Sequence, residues 1–149
     1  MGWSFWIMMA AAFALGALGG IHVPMNGALS LRLHSTLVAT FAFYGVAFAA
    51  ATVICLLAWD ARPFLALRDM PVWYYSAGLI SVVVVGGSTY LVSRIGAVNL
   101  FVMMFSAQMS VRMVISHFGW FDTPVHPVQW SKLAGAALLL AGTVLMVRD

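Results

Sequence analysis

The sequence predicts an all-α integral membrane fold built from five transmembrane helices. Three observations carry this. First, 64% of the 149 residues are hydrophobic and only 7% are charged, where a soluble domain carries roughly 25%. So few charges do not cover the surface of a water-soluble core. Second, the apolar residues form continuous runs, not the alternating pattern of a membrane barrel. Third, the runs reach the length of about 20 residues that crosses a hydrocarbon layer about 30 Å thick. The connecting loops are short, so a single bundle over residues 1–149 is expected, with no soluble domain.

The first span is expected over residues 3–31. Nothing from Met1 to Ile21 is charged. Without a basic start it does not read as a cleavable signal peptide. Its second half, GIHVPMNGALSLRL, carries polar groups and helix breakers. His22, Asn26 and Ser30 step by four along one helix face. Pro24 lacks an amide donor and frees the carbonyl of Gly20. Gly16 and Gly20 form a GxxxG that permits close helix approach. Such features are tolerated where protein or water satisfies the freed groups. A working cavity and a merely kinked helix, its histidine bonded to a neighbour, are both compatible with the pattern.

The second span is expected over 37–59, after the capping residues Ser35 and Thr36. It carries Tyr44, a possible cavity hydroxyl, and Cys55. As the single cysteine, Cys55 forms no disulfide within the chain and is expected as a small buried apolar residue. The third span is expected over 71–93, with Pro71 at its first helical position. It adds Ser88, Thr89 and Tyr90, which could supply hydroxyls to the same cavity, although such residues more often bond a nearby backbone carbonyl. The fourth, over 97–115, steps Gln108, Arg112 and Ser116 by four. An arginine at mid-helix costs about 2.5 to 3.5 kcal/mol even on lenient insertion scales. Arg112 therefore faces an internal site or snorkels to the nearer interface. The fifth, over 131–146, has Gly135 and Gly142 on a small-residue face suited to packing, within one subunit or between two. Trp3, Trp6, Trp59, Trp73, Trp120 and Trp130 fall near span ends, as an interfacial aromatic belt requires.

An odd number of spans puts the termini on opposite sides. Arg62, Arg68 and Lys132 then lie on one side, and Arg32, Arg94 and Arg148 on the other. This three-against-three balance gives no orientation by the positive-inside rule. It fits copies that insert both ways, or pairing with an oppositely oriented mate. Five spans are also half of a ten-helix inverted-repeat transporter, whose site lies between the repeats.

The sequence has no glutamate, and Asp60, Asp69, Asp122 and Asp149 lie in loops or at the end. No intramembrane acid attracts a cation. Arg112 instead favours carboxylate or phosphate, and any proton coupling would fall on His22, the substrate or a partner subunit. Catalytic motifs such as HExxH, CxxC and GxSxG are missing, and SHFGWFDTPVHP does not match metal-ligand spacing. No enzyme activity, cofactor, metal or nucleic-acid partner is expected.

Three stretches, GIHVPMNGALSLRL, VSRIGAVNLFVMMFSAQ and MVISHFGWFDTP, resemble the YdcZ-like family of half-size proteins in the drug/metabolite transporter superfamily. The resemblance implies a multi-pass protein of the bacterial inner membrane. It implies an antiparallel pair, with itself or with a similar five-span subunit. His22 stands where that family usually has glutamine, Ser116 where it has aspartate, and Arg112 where it has a small or apolar residue. These departures reverse the local electrostatic sign. The expectation is transport of a small polar or anionic metabolite by alternating access. His22, Asn26, Gln108 and Arg112, with Ser30 and Tyr44, are the substrate-binding candidates. Gly20 and Pro24 would let the helix bend, and Gly135 and Gly142 would pack the dimer. Membrane lipid is an expected partner in every case. Two other readings are a non-transporting membrane subunit that assembles with or stabilises another protein, and a cation or drug exporter of the small multidrug-resistance style. The second conflicts with the missing acid.

Overall fold

The structure, a computed structural model, describes residues 3–147. Arg148 and Asp149 lie outside the described residues, as do the side chains of Trp3 and Asp122. Six α-helices follow in order: α1 Trp3–Leu33, α2 Thr36–Leu57, α3 Ala61–Ala66, α4 Ser76–Ile95, α5 Ala97–Phe118 and α6 Trp130–Val147. All but the short α3 are long and apolar enough to cross a membrane, with α4 extended by the turn before it, and no strand occurs among the described residues. The fold is the all-α, five-span membrane architecture expected.

α1 runs unbroken through Pro24. It stops where His34 takes a left-handed φ of 52°. The Ser35 amide reaches back to the Ser30 carbonyl at 3.2 Å and the His34 amide to Leu31 at 3.3 Å. This is the 6→1 and 5→2 pair of a Schellman ending, made with histidine where glycine is usual. Ser35 then caps α2, its hydroxyl accepting from the Val38 amide at 3.3 Å.

Pro71 is not the first residue of a long α-helix. It is extended (φ −53°, ψ 134°), and residues Val72–Tyr75 form one 3-10 turn before α4 starts at Ser76. The Tyr75 hydroxyl donates to the Leu67 carbonyl at 2.6 Å and pins this turn to the preceding loop. Gly96, at φ 81°, opens α5 without a side-chain cap.

The chain forms two compact units, Met1–Arg94 and Ile95–Asp149. In the first, α1 and α2 make a hairpin against which α4 packs. Its interior is polar. Asn26, Ser30, Thr40, Ser88 and Thr89 are buried, together with Val23, Ala39 and Val92. Phe13 and Leu37 are 83% and 84% exposed. This inversion is physically required. Lipid is as apolar as leucine, so helices associate through close packing and hydrogen bonds.

Gly27 makes the approach of α1 to α4 possible, because a Cβ there would collide with a Val92 methyl. A Cβ at Gly16 or Gly20, by contrast, would meet no heavy atom within 4 Å. Their GxxxG does not pack this unit. Cys55 is exposed on α2 and not buried as expected, since α2 turns few of its residues inward.

In the second unit α5 and α6 pack around Leu100, Ser106 and Thr143. The Ser106 and Thr143 hydroxyls meet at 2.5 Å, and each also lies within 2.9 Å of a carbonyl of its own helix. Two hydroxyl protons thus serve three oxygens across the contact.

Candidate functional site

α1 presents His22, Met25, Asn26 and Leu29 on one face, at the i, i+3, i+4, i+7 spacing of a helix stripe. α2 presents Ala42, Phe43, Val46 and Ala47 opposite. Between them lies an open hollow of about 550 Å³. That volume falls in the ordinary range for small-molecule sites. The two alanines leave the space that larger residues would fill.

His22 is half-buried and stacks on Phe43, ring centroids 5.6 Å apart at 27°. The stacking fixes the imidazole at the wall of the hollow. Asn26 is held from behind. Its Nδ2 donates to Thr89 Oγ1 of α4 at 2.7 Å, and both side chains are buried. The amide is thereby tied to α4 and shows little of its surface to the hollow, whose lining is almost wholly apolar. No acidic side chain among the described residues lines the hollow.

Ser30 and Tyr44 do not line it. The Ser30 hydroxyl bonds Thr36 at 2.9 Å and ties the hairpin turn, while the Tyr44 hydroxyl meets Ser81 of α4 at 2.5 Å. Pro24 is half-buried and sits within the same stretch of α1. Phe43 and Thr89 complete the arrangement. Thr89 is one of several hydroxyls whose direction the sequence leaves open, and nothing marks Phe43 among the ten phenylalanines of the chain.

The candidates of the second unit separate. Gln108 is half-buried and hydrogen-bonds no described residue. Arg112 is exposed and lines a smaller hollow of about 180 Å³ with Ser116, His126 and Lys132 near the α5–α6 loop. Gly142 borders an apolar groove with Phe101, Phe105 and Leu138. Within the described chain no atom crowds Gly135 or Gly142, so both are open to contact from outside it.

The family model described as "Putative inner membrane exporter, YdcZ" matches residues 7–145. No curated protein and no solved structure shows significant similarity to the chain.

Proposed function

The chain belongs to the YdcZ family of inner-membrane exporters, and on that premise we propose that it exports a small polar or anionic metabolite by alternating access, as an antiparallel pair with a second copy or a similar five-span subunit. It is a multi-pass protein of the inner membrane. The observation that carries the reading is the hollow of about 550 Å³ in which His22 and Asn26 stand among apolar walls. A mostly apolar recess of this size would hold the body of a small solute, with His22 and Asn26 as the polar residues beside it. With no acid among the described side chains of its lining, the hollow offers nothing to pair with a cation.

Pairing supplies the missing half. A five-span subunit offers one repeat, and in inverted-repeat transporters the pathway lies where two repeats meet. The even division of basic residues lets copies insert either way up. Gly135 and Gly142, uncrowded in this chain, suit the close approach of a second subunit.

The test compares wild type with H22A and with Ala47→Trp, which fills the hollow without removing a polar group. Medium from cells overproducing each form is profiled for small polar metabolites, and the oligomer is sized in mild detergent. Accumulation outside the cells should appear with wild type and vanish with both variants, the oligomer intact. Loss of the oligomer instead favours an assembly subunit whose polar groups act only as helix adhesive.

A further inference from the structure

The loop between α5 and α6 is folded back onto the end of α5. Gly119 ends the helix in the left-handed region at φ 67°. The His126 amide donates to the Ser116 carbonyl at 2.9 Å, which satisfies one of the orphan acceptors of the last turn. The Val128 amide donates to Nδ1 of His117 at 3.2 Å. These two bonds bring His126, and with it Lys132 in the first turn of α6, alongside Arg112.

Arg112 lies six residues before Phe118, the last residue of α5. At 1.5 Å per residue that is about 9 Å from the helix end. A guanidinium on a long stem reaches the headgroup layer from that depth. Arg112, Lys132, His126 and Ser116 line one hollow of about 180 Å³, and none of the described side chains that line it is acidic. Two cationic side chains bordering one small space repel each other, and an anion between them would relieve that repulsion. Guanidinium binds a phosphate through two parallel hydrogen bonds, and the lysine adds a point charge.

A second, apolar hollow of about 480 Å³ adjoins the first and shares Met113 and Val128 with it as a common wall. Val114, Phe118 and Leu133 line it. A soluble anion makes no use of such a groove. A lipid does, with its phosphate on the cations and a chain along the apolar side. Trp130, 86% exposed at the start of α6, marks the same level as interfacial.

We propose that the α5–α6 hairpin holds the phosphate of an anionic phospholipid between Arg112 and Lys132, with His126 and Ser116 as further donors and an acyl chain in the adjoining groove. The site shares no residue with the hollow at His22 and does not depend on the transport reading.

Purified full-length protein in uncharged detergent is titrated with dioctanoyl phosphatidylglycerol, dioctanoyl phosphatidylcholine and inorganic phosphate, read by tryptophan fluorescence. Lipid co-purified from native membranes is measured in parallel by mass spectrometry. Phosphatidylglycerol should bind and inorganic phosphate at equal concentration should not, with phosphatidylcholine at least tenfold weaker than phosphatidylglycerol. The R112Q/K132Q variant should lose affinity for phosphatidylglycerol on the order of thirtyfold, each basic group at an anionic surface contributing roughly fivefold. The R112K/K132R variant should keep most of it. Equal binding of inorganic phosphate reassigns the site to soluble anions and overturns the lipid assignment. Equal binding of both lipids, or unchanged affinity in R112Q/K132Q, also overturns it. Should R112Q/K132Q fail to fold, the wild-type preference and the co-purified lipid decide: no enrichment of anionic over zwitterionic lipid, relative to the membrane, refutes the proposal.

Discussion

The bond between Asn26 and Thr89 is the sharpest test of how the first unit is held together. It joins α1 to α4 at 2.7 Å, with Asn26 5% exposed and Thr89 fully enclosed. Interhelical hydrogen bonds in membranes average about 0.6 kcal/mol and reach about 1.7. This one belongs near the upper end, because neither water nor headgroup replaces it in an enclosed contact. Thr89→Val keeps the side-chain shape and strands the Asn26 amide, whereas Asn26→Ala strands the threonine hydroxyl. The double-mutant cycle of the two should therefore give a coupling of about 1 to 1.7 kcal/mol. Reversible unfolding in mixed micelles, followed by circular dichroism, measures it. Independent sites add to within about 0.3 to 0.5 kcal/mol. A coupling inside that range would mean that the pair does not fasten the helices, and that Asn26 is not tied to α4.

Other substitutions have equally definite outcomes in the same assay. Thr40 is buried and its hydroxyl lacks a hydrogen-bond partner among the described residues, so Thr40→Val should stabilise by about 1 kcal/mol; no change would point to a partner for the hydroxyl. Gly27→Ala should destabilise by about 1 to 3 kcal/mol through the collision with Val92, and adding Val92→Ala should restore most of the loss. Gly20→Ala, with open space around it, should not destabilise the monomer and should gain the helix propensity of alanine, up to about 1 kcal/mol. Gly119→Ala combines a left-handed φ with a clash at Val125. It should cost at least about 1 kcal/mol and should weaken phosphatidylglycerol binding, because the loop that carries His126 is released.

The spans were legible because a bilayer imposes length and apolar composition on any helix that crosses it. Their ends were less so. The turn at His34 uses a left-handed histidine, and propensity reserves that position for glycine or asparagine. Pro71 has the composition of a helix start, but Tyr75 bonded to Leu67 holds the next residues in a 3-10 turn. Within the site, the four-residue step placed His22 and Asn26 on one face, and both line the hollow. The same step put Ser30 on that face and Gln108 in line with Arg112, yet Ser30 serves the hairpin and Gln108 stands apart from Arg112's hollow. Spacing gives a direction along one helix only. The partner that takes up each hydroxyl, and the packing glycine at position 27 rather than 16 or 20, depend on which helix lies opposite.

In the proposed mechanism two oppositely inserted subunits share one export pathway. With this chain as the sole five-span protein of its kind in the cell, reporters active on only one side of the membrane are fused to its C-terminus, and export is assayed in the same strain. Signal from both the cytoplasmic and the outer reporter, together with export, is the predicted result. Export with signal from one side alone would contradict it.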